Sequence, residues 1–303
     1  MQGDNHSHDV LSGGRFFLVT VLNIFITIAE FVGGVLSGSL SLISDAFHNL
    51  GDSFSIAFSY VAHRISKKRQ NKRNTFGYKR AEIIAAFLNS IALCLICIFL
   101  IIEAIKRFSH PESINGNLML AVAVIGLIAN FASAFMLNAG SKHNLNMRAT
   151  YLHILSDALS SVAIIIGGVL IDLFGWVLID PLVTILVAVY IFYESVPIIR
   201  QTCRILMQGA PAIDYPAIKQ DLLKIDGVFG VHHVHAWSID EHNVIFSAHV
   251  NLHDMKISQA QHIYTEIDEL MENKYHMCHV TIQAETTRGE NEDMIYDRGN
   301  DIP

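Results

Sequence analysis

Long apolar runs follow one another along the first two thirds of the chain, and short polar segments separate them. A membrane-spanning helix needs about 20 mainly apolar residues, and six runs reach that length. They occupy residues 16–36, 40–62, 81–107, 117–139, 150–173 and 179–199. We therefore predict six transmembrane helices, so that the protein is an integral membrane protein in contact with the lipid bilayer.

The pattern changes after Arg200, where charged and apolar residues alternate as in soluble domains. Periodicity predicts helices over 214–225 and 257–274, and alternation predicts strands over 230–239, 244–253 and 278–285. The order αββαβ predicts a small α+β sandwich with three strands and two helices on one face. The predicted domains are an N-terminal tail (1–14), a membrane domain (15–206), a soluble domain (207–286) and an acidic disordered tail (287–303).

Composition and charge agree with a membrane protein and set its orientation. Of the 303 residues, 51% are hydrophobic and 16% charged. Basic residues crowd the loop at 64–80, while the loops near 36–40, 108–116 and 174–178 contain none. The positive-inside rule therefore places both termini in the cytoplasm. The basic loop can also be interpreted as a nucleic-acid patch, but we prefer a topology determinant touching anionic lipid and predict no nucleic-acid partner.

Two of the predicted spans carry the same pair of ionisable residues. His48 and Asp52 share one helix face, and His153 and Asp157 repeat that spacing in the fifth span. A carboxylate near the bilayer centre costs about 2.5–3.5 kcal/mol, and neither span contains Lys or Arg. A bound cation or a protonated carboxyl must compensate. Two imidazoles and two carboxylates suffice for one tetrahedral divalent cation; the alternative is that each pair only hydrogen-bonds between helices.

Three other acidic residues in the spans carry weaker signals. Asp45, one turn before His48, is a candidate accessory residue of the membrane domain. Glu30 is a candidate for lining a hydrated path. Asp180 precedes Pro181 at the start of the sixth span, and we predict that it caps that helix.

The soluble region is rich in histidine, and its pattern suggests a second metal site. The candidate ligands come from the three strands and one helix, and they are His232, His249, His262 and Glu285. The alternative is that these are ordinary surface residues. Strict strand alternation puts His233 and His235 on one face of the first strand and the neighbouring His232 on the other.

Several segments resemble the cation diffusion facilitator family, particularly its zinc-transporting branch. They are "SLSLISDAFHNLGDS", "FGYKRAEIIAAFLN", "HILSDALSS", "IDPLVTILVAVYI" and "VHHVHAWSI". The resemblance covers nearly the whole chain from the first span to Glu285. It implies a homodimeric antiporter, not an enzyme, that exports Zn²⁺ from the cytoplasm in exchange for protons, with Cd²⁺ or Co²⁺ as secondary substrates. The implied location is the bacterial inner (plasma) membrane.

The resemblance also assigns roles to particular residues. The transport site maps onto His48, Asp52, His153 and Asp157. The soluble domain is expected to be a ferredoxin-like, metallochaperone-like domain that dimerises and binds regulatory Zn²⁺ through the four candidate ligands named above. His6 and His8 are candidate tail ligands, with a flexible tail as the alternative.

Two other functions compete with transport. A membrane-anchored zinc sensor would bind the metal without moving it. A membrane metalloenzyme would need an open metal position and a general base, as in His-Glu-x-x-His, and this motif does not occur in the sequence.

Overall fold

The computed structural model describes residues 5–141, 145–289 and 292–295, with side chains described there except at 5–20, 56, 136–141 and 145–156. The chain divides into two compact units. Met1–Val61 and Ala85–Ile199 form the first, which we call the membrane unit. Ala62–Ile84 and Arg200–Pro303 form the second, the sheet unit. The loop between the second and third predicted spans therefore groups with the sheet and not, as predicted from sequence, with the membrane domain.

Six long helices stand where the six spans were predicted. Their bounds are α1 (Asn5–Ser37), α2 (Leu40–Ser66), α3 (Arg80–Ser109), α4 (Gly116–Ser141), α5 (Leu145–Phe174) and α6 (Ile179–Leu206). Among the described residues, α3, α6 and the described parts of α4 and α5 are long and apolar enough to cross a membrane. The helix α1 begins at Asn5, well inside the segment predicted as an N-terminal tail.

The membrane unit has apolar side chains on its outside and polar side chains within. Phe25 and Tyr193 are 71% and 76% exposed, whereas Glu30, Asn130 and Asp180 are at most 2% exposed. A surface of this kind suits lipid, because the hydrocarbon core solvates apolar groups and leaves polar groups to find partners inside the bundle. The predicted membrane fold is confirmed.

Small residues let the helices of this unit approach one another. The helix α4 packs against both α1 and α5. A Cβ at Gly33 of α1 would lie 2.6 Å from Val122 of α4, and one at Gly168 of α5 would lie 3.5 Å from the backbone of Leu120. The glycines therefore serve close helix packing, as small residues commonly do in membranes.

The sheet unit has the predicted αββαβ order. Its elements are α7 (Tyr215–Leu222), β1 (Val228–Ser238), β2 (Val244–Leu252), α8 (Ile257–Asn273) and β3 (Met277–Glu285). The strand order is β1-β2-β3, with β2 antiparallel to β1 and parallel to β3. Apolar residues of both helices pack on one face of the sheet, among them Ile218 and Leu222 of α7 and Ile263 and Ile267 of α8.

A β-bulge in β1 overturns the predicted alternation of its histidines. His232 pairs with His249 and His235 with Ser247, so β1 uses three steps where β2 uses two. His233 lies inside the bulge with a φ of 49°. The extra residue lets Val231 and Val234 both enter the core, which strict alternation forbids. The rings of His232 and His233 consequently both contact His249, with centroids at 5.3 and 4.6 Å.

The segment after β3 lies against the sheet. The Asn251 side chain donates hydrogen bonds to the carbonyl oxygens of Thr286 and Arg288, at 3.1 and 2.9 Å. The Val234 amide donates to the Met294 carbonyl at 2.8 Å, and the Met294 side chain packs against the core. Part of the segment predicted as a disordered tail is therefore held by the sheet unit.

Candidate metal centres

The first centre lies within the membrane unit, between α2 and α5. His48 and Asp52 stand one turn apart on α2, and Asp157 faces them from α5. The Nε2 atom of His48 is 3.5 Å from Asp157 Oδ1 and 3.8 Å from Asp52 Oδ2. Ligands about 2.0–2.2 Å from a tetrahedral metal lie roughly 3.3–3.6 Å apart. The spacing therefore suits a single divalent cation after small side-chain shifts.

The fourth predicted ligand, His153, lies outside the described side chains, as do the candidate tail ligands His6 and His8. The backbone of α5 is helical through both position 153 and position 157. Residues four apart share a helix face, so His153 stays predicted as the ligand next to Asp157.

Asp45 joins the two helices that carry this centre. It is 1% exposed, and its Oδ1 accepts a hydrogen bond from the Ser160 hydroxyl of α5 at 2.6 Å. The donor lies three residues from Asp157. Among the described groups, Asp45 is not one of the three donors that converge, so the structure gives it a contact between helices.

Glu30 of α1 contacts the residue next to His48. The Asn49 side-chain amide donates to Glu30 Oε2 at 2.8 Å, and both side chains are buried. The only signal in the sequence is an acidic residue within an apolar run. Its contact with α2 could not be predicted, because it depends on which helices are neighbours.

Asp180 caps a different helix from the one predicted. It lies within the first turn of α6, yet its carboxylate accepts hydrogen bonds from the amides of Leu40 and Ser41, at 2.8 and 3.1 Å. It also accepts from the hydroxyls of Ser39 and Ser41, both at 2.6 Å. A carboxylate at this place satisfies amides that the helix leaves unpaired and complements its dipole. Asp180 thus fixes the N-terminal end of the helix that carries His48.

The second centre lies within the sheet unit, on the face of the sheet away from the helices. His232 Nε2 is 3.2 Å from Glu285 Oε2, and His249 Nδ1 is 3.3 Å from Glu285 Oε1. The side chains of His232 and Glu285 are 2% and 6% exposed. Within the described part of the chain, His232 Nδ1 and Glu285 Oε2 are buried without a hydrogen-bond partner. Two imidazoles and a carboxylate with unsatisfied atoms fit a bound Zn²⁺.

The structure does not bring His262 to this cluster within one chain. His262 lies on α8, and the buried residues of α8 pack on the opposite face of the sheet. Its ring Nδ1 instead contacts the Gln259 carbonyl oxygen, one turn earlier. The predicted set of four ligands is therefore reduced to three in a single chain.

The structure has six long helices, and the described residues of four of them are long and apolar enough to cross a membrane. A partly buried His-Asp cluster in the membrane unit and a His-Glu cluster in the αββαβ unit are together typical of a membrane protein that binds divalent cations. The family model for the cation efflux transmembrane domain matches residues 16–207, and the model for the cation efflux protein cytoplasmic domain matches residues 210–287. The chain therefore belongs to the cation efflux family, also called the cation diffusion facilitators. It is an integral membrane protein of a transporter family.

Bacterial proteins resemble the chain over most of its length. The cadmium, cobalt and zinc/H(+)-K(+) antiporter of Bacillus subtilis is 37% identical over 295 residues, which cover 96% of this chain and 94% of that protein. The metal cation efflux system protein CzcD of Cupriavidus metallidurans is 34% identical, with 96% and 93% covered. The zinc transporter ZitB of Escherichia coli is 39% identical over 266 residues, with 85% and 82% covered.

Proposed function

We propose that this protein exports Zn²⁺ from the bacterial cytoplasm across the plasma membrane in exchange for protons, with Cd²⁺ and Co²⁺ as secondary substrates. The ion is held by His48, Asp52, His153 and Asp157. The observation that carries the proposal is the convergence of three of these donors from two different helices, with distances of 3.5 and 3.8 Å that are close to the ligand spacing around a tetrahedral cation. The names of the relatives, an antiporter and a zinc transporter among them, support it.

The coupling follows from competition for the same lone pairs. Only deprotonated imidazole and carboxylate bind the metal, so binding from the cytoplasm displaces protons. When the site faces the more acidic exterior, protons return to those groups and the ion leaves. An imidazole ordinarily titrates near pH ~6.5, so a modest pH difference across the membrane changes the occupancy of the site.

The sheet unit supplies dimerisation and regulation in this proposal. His232, His249 and Glu285 hold a regulatory Zn²⁺, and two chains associate as a homodimer with both termini in the cytoplasm. The short His-Glu distances and the match to the cytoplasmic domain of cation efflux proteins support this part.

The test is zinc-driven proton flux in proteoliposomes that contain a pH-sensitive dye. Wild-type protein should move protons when Zn²⁺ is added to one side, and Asp157→Asn should abolish this flux while the dimer stays folded. Asp172→Asn is the matched control, since Asp172 belongs to the same helix but is exposed. Flux retained by Asp157→Asn would refute the site, and zinc binding by wild type without flux would favour the sensor.

A further inference from the structure

The basic loop between α2 and α3 has a defined conformation. Asn71 Oδ1 accepts hydrogen bonds from the amides of Arg73 and Asn74, both at 2.9 Å. The Asn71 side-chain amide donates to the Tyr78 hydroxyl at 2.8 Å. Hydrogen bonds from Asn71, and next from Asn74, lower the pKa of Tyr78 below its usual value. Residues 71–78 of the loop therefore form a turn held by internal hydrogen bonds, whereas a run of solvated charges would have no fixed conformation.

A contact between two aromatic rings holds this turn against the sheet. The Phe76 ring meets the His279 ring of β3 edge to face, with centroids 5.8 Å apart. Both residues belong to the sheet unit. The loop, the start of α3 and one end of the sheet therefore form one structure.

A cavity of about 510 Å³ opens between these parts of the sheet unit. Three cations line it, and they are Arg73, Lys79 and Arg80. Trp237 and Gln208 line it as well, and Asp and Glu are absent from the described residues of its wall. The described lining residues carry three positive charges and no negative one, which favours an anion, and a phosphate group can accept forked hydrogen bonds from arginine.

The apolar part of the wall identifies the source of the phosphate. Arg80 is the first residue of the membrane-spanning helix α3, and Ile84, one turn further on, lines the cavity and is 45% exposed. Phe76, also 45% exposed, stands on the same wall. A free phosphate ion would make no favourable contact with this apolar surface, whereas the acyl chains of a lipid would pack against it. Trp237 adds an amphipathic ring of the kind enriched at the headgroup level.

We propose that this cavity binds the headgroup of an anionic phospholipid. Arg73, Lys79 and Arg80 contact its phosphate, and Ile84 and Phe76 contact its acyl chains. The proposal is independent of the transported ion. It predicts a stoichiometric lipid site, in contrast to the diffuse attraction that any basic loop has for an anionic bilayer.

Quenching of Trp237 fluorescence by brominated lipids tests the proposal. The chain has two tryptophans, so full-length Trp176→Phe protein in neutral detergent reports on Trp237 alone. Brominated phosphatidylglycerol and brominated phosphatidylcholine are titrated in parallel. Each cation near an anionic lipid contributes about fivefold in affinity, so we expect half-quenching by phosphatidylglycerol at a concentration at least ~10-fold lower.

Two triple variants that each lose three positive charges distinguish a specific lipid site from the general electrostatic attraction of a basic loop for anionic lipid. Arg73→Gln/Lys79→Gln/Arg80→Gln removes the cations of the cavity and should abolish the preference for phosphatidylglycerol over phosphatidylcholine. Lys67→Gln/Arg69→Gln/Lys72→Gln removes three exposed cations of the same loop that do not line the cavity, and it should keep the preference. If the first variant does not fold, exposed Arg73 replaced alone should weaken phosphatidylglycerol about fivefold.

Three results would overturn the proposal. One is equal quenching by both lipids in wild type. Another is equal loss of preference in both triple variants, which would show a diffuse field. The third is full protection of Trp237 by millimolar inorganic phosphate, which would assign the cavity to soluble phosphate and not to lipid.

Discussion

Removal of the Asp180 carboxylate should loosen the helix that carries half of the membrane metal centre. Asp180 is fully buried in α6 and accepts four hydrogen bonds, three from the first turn of α2 and one from Ser39, the residue before it. Arg107 of α3 lies near the same carboxylate, with 3.8 Å between Nη1 and Oδ2. Asp180→Ala therefore removes the hydrogen bonds between α6 and the start of α2 and leaves every proposed metal ligand in place.

The loss in free energy of unfolding depends on which hydrogen-bond donors lose their acceptor in Asp180→Ala. The hydroxyls of Ser39 and Ser41 lie 3.1 Å apart and can bond each other. The amides of Leu40 and Ser41 have no such substitute. Each orphaned buried amide costs about 1–2 kcal/mol, so we expect a loss of about 2–4 kcal/mol. Asp180→Asn keeps one acceptor oxygen and should cost about half as much, since only the charge and part of the geometry are lost.

The assay is thermal unfolding of the purified full-length protein in detergent, followed by zinc flux in proteoliposomes. A loss of this size corresponds to a fall of about 5–15 °C in melting temperature, and flux should fall with it. Asp172→Ala is the control, because it removes an exposed carboxylate from the end of α5. A melting temperature of Asp180→Ala equal to that of the control would refute the capping argument.

Two further predictions concern the sheet unit and its tail. The Lys224 ammonium, with two further donors, holds the pKa of Asp221 well below its usual value. Ionisation of the Asp221 carboxyl thus stabilises the folded state above pH ~4, and this stabilisation is lost as the pH falls towards the pKa of Asp221 in the folded protein. The melting-temperature gap between wild type and Asp221→Asn should narrow below pH ~4, and a pH-independent gap would contradict this. Gly289→Ala should destabilise more than Gly175→Ala: both have positive φ, but a Cβ at Gly289 meets the His232 ring while Gly175 faces open space. Equal melting temperatures would show that the tail does not lie on His232.

The helices and strands could be predicted from the sequence because their signals are local. Six apolar runs and the αββαβ order follow from periodicity, and the repeated His-x-x-x-Asp spacing follows from helix geometry. That spacing pointed to α2 and α5, and the structure brings His48, Asp52 and Asp157 of these helices together.

The remaining features depend on tertiary contacts that no local pattern encodes. Asp180 and Pro181 look like the start of a helix, and only the position of α6 beside α2 turns Asp180 into a cap for the other helix. The bulge at His233 arises because Val231 and Val234 both enter the core. His262 was grouped with His232 by residue type, whereas the helices pack on the other face of the sheet.

The coordination of zinc in the membrane centre shows whether His48, Asp52, His153 and Asp157 hold one metal ion together. X-ray absorption would be measured on full-length protein in which His232, His249 and Glu285 are replaced by alanine, which leaves the membrane centre as the proposed site. We expect one zinc per chain with four nitrogen and oxygen ligands at about 2.0–2.2 Å, two of them imidazoles, and loss of this zinc in Asp157→Ala. Absence of bound zinc, or sulfur scattering at about 2.3 Å from the buried thiols of Cys94 and Cys97, would contradict it.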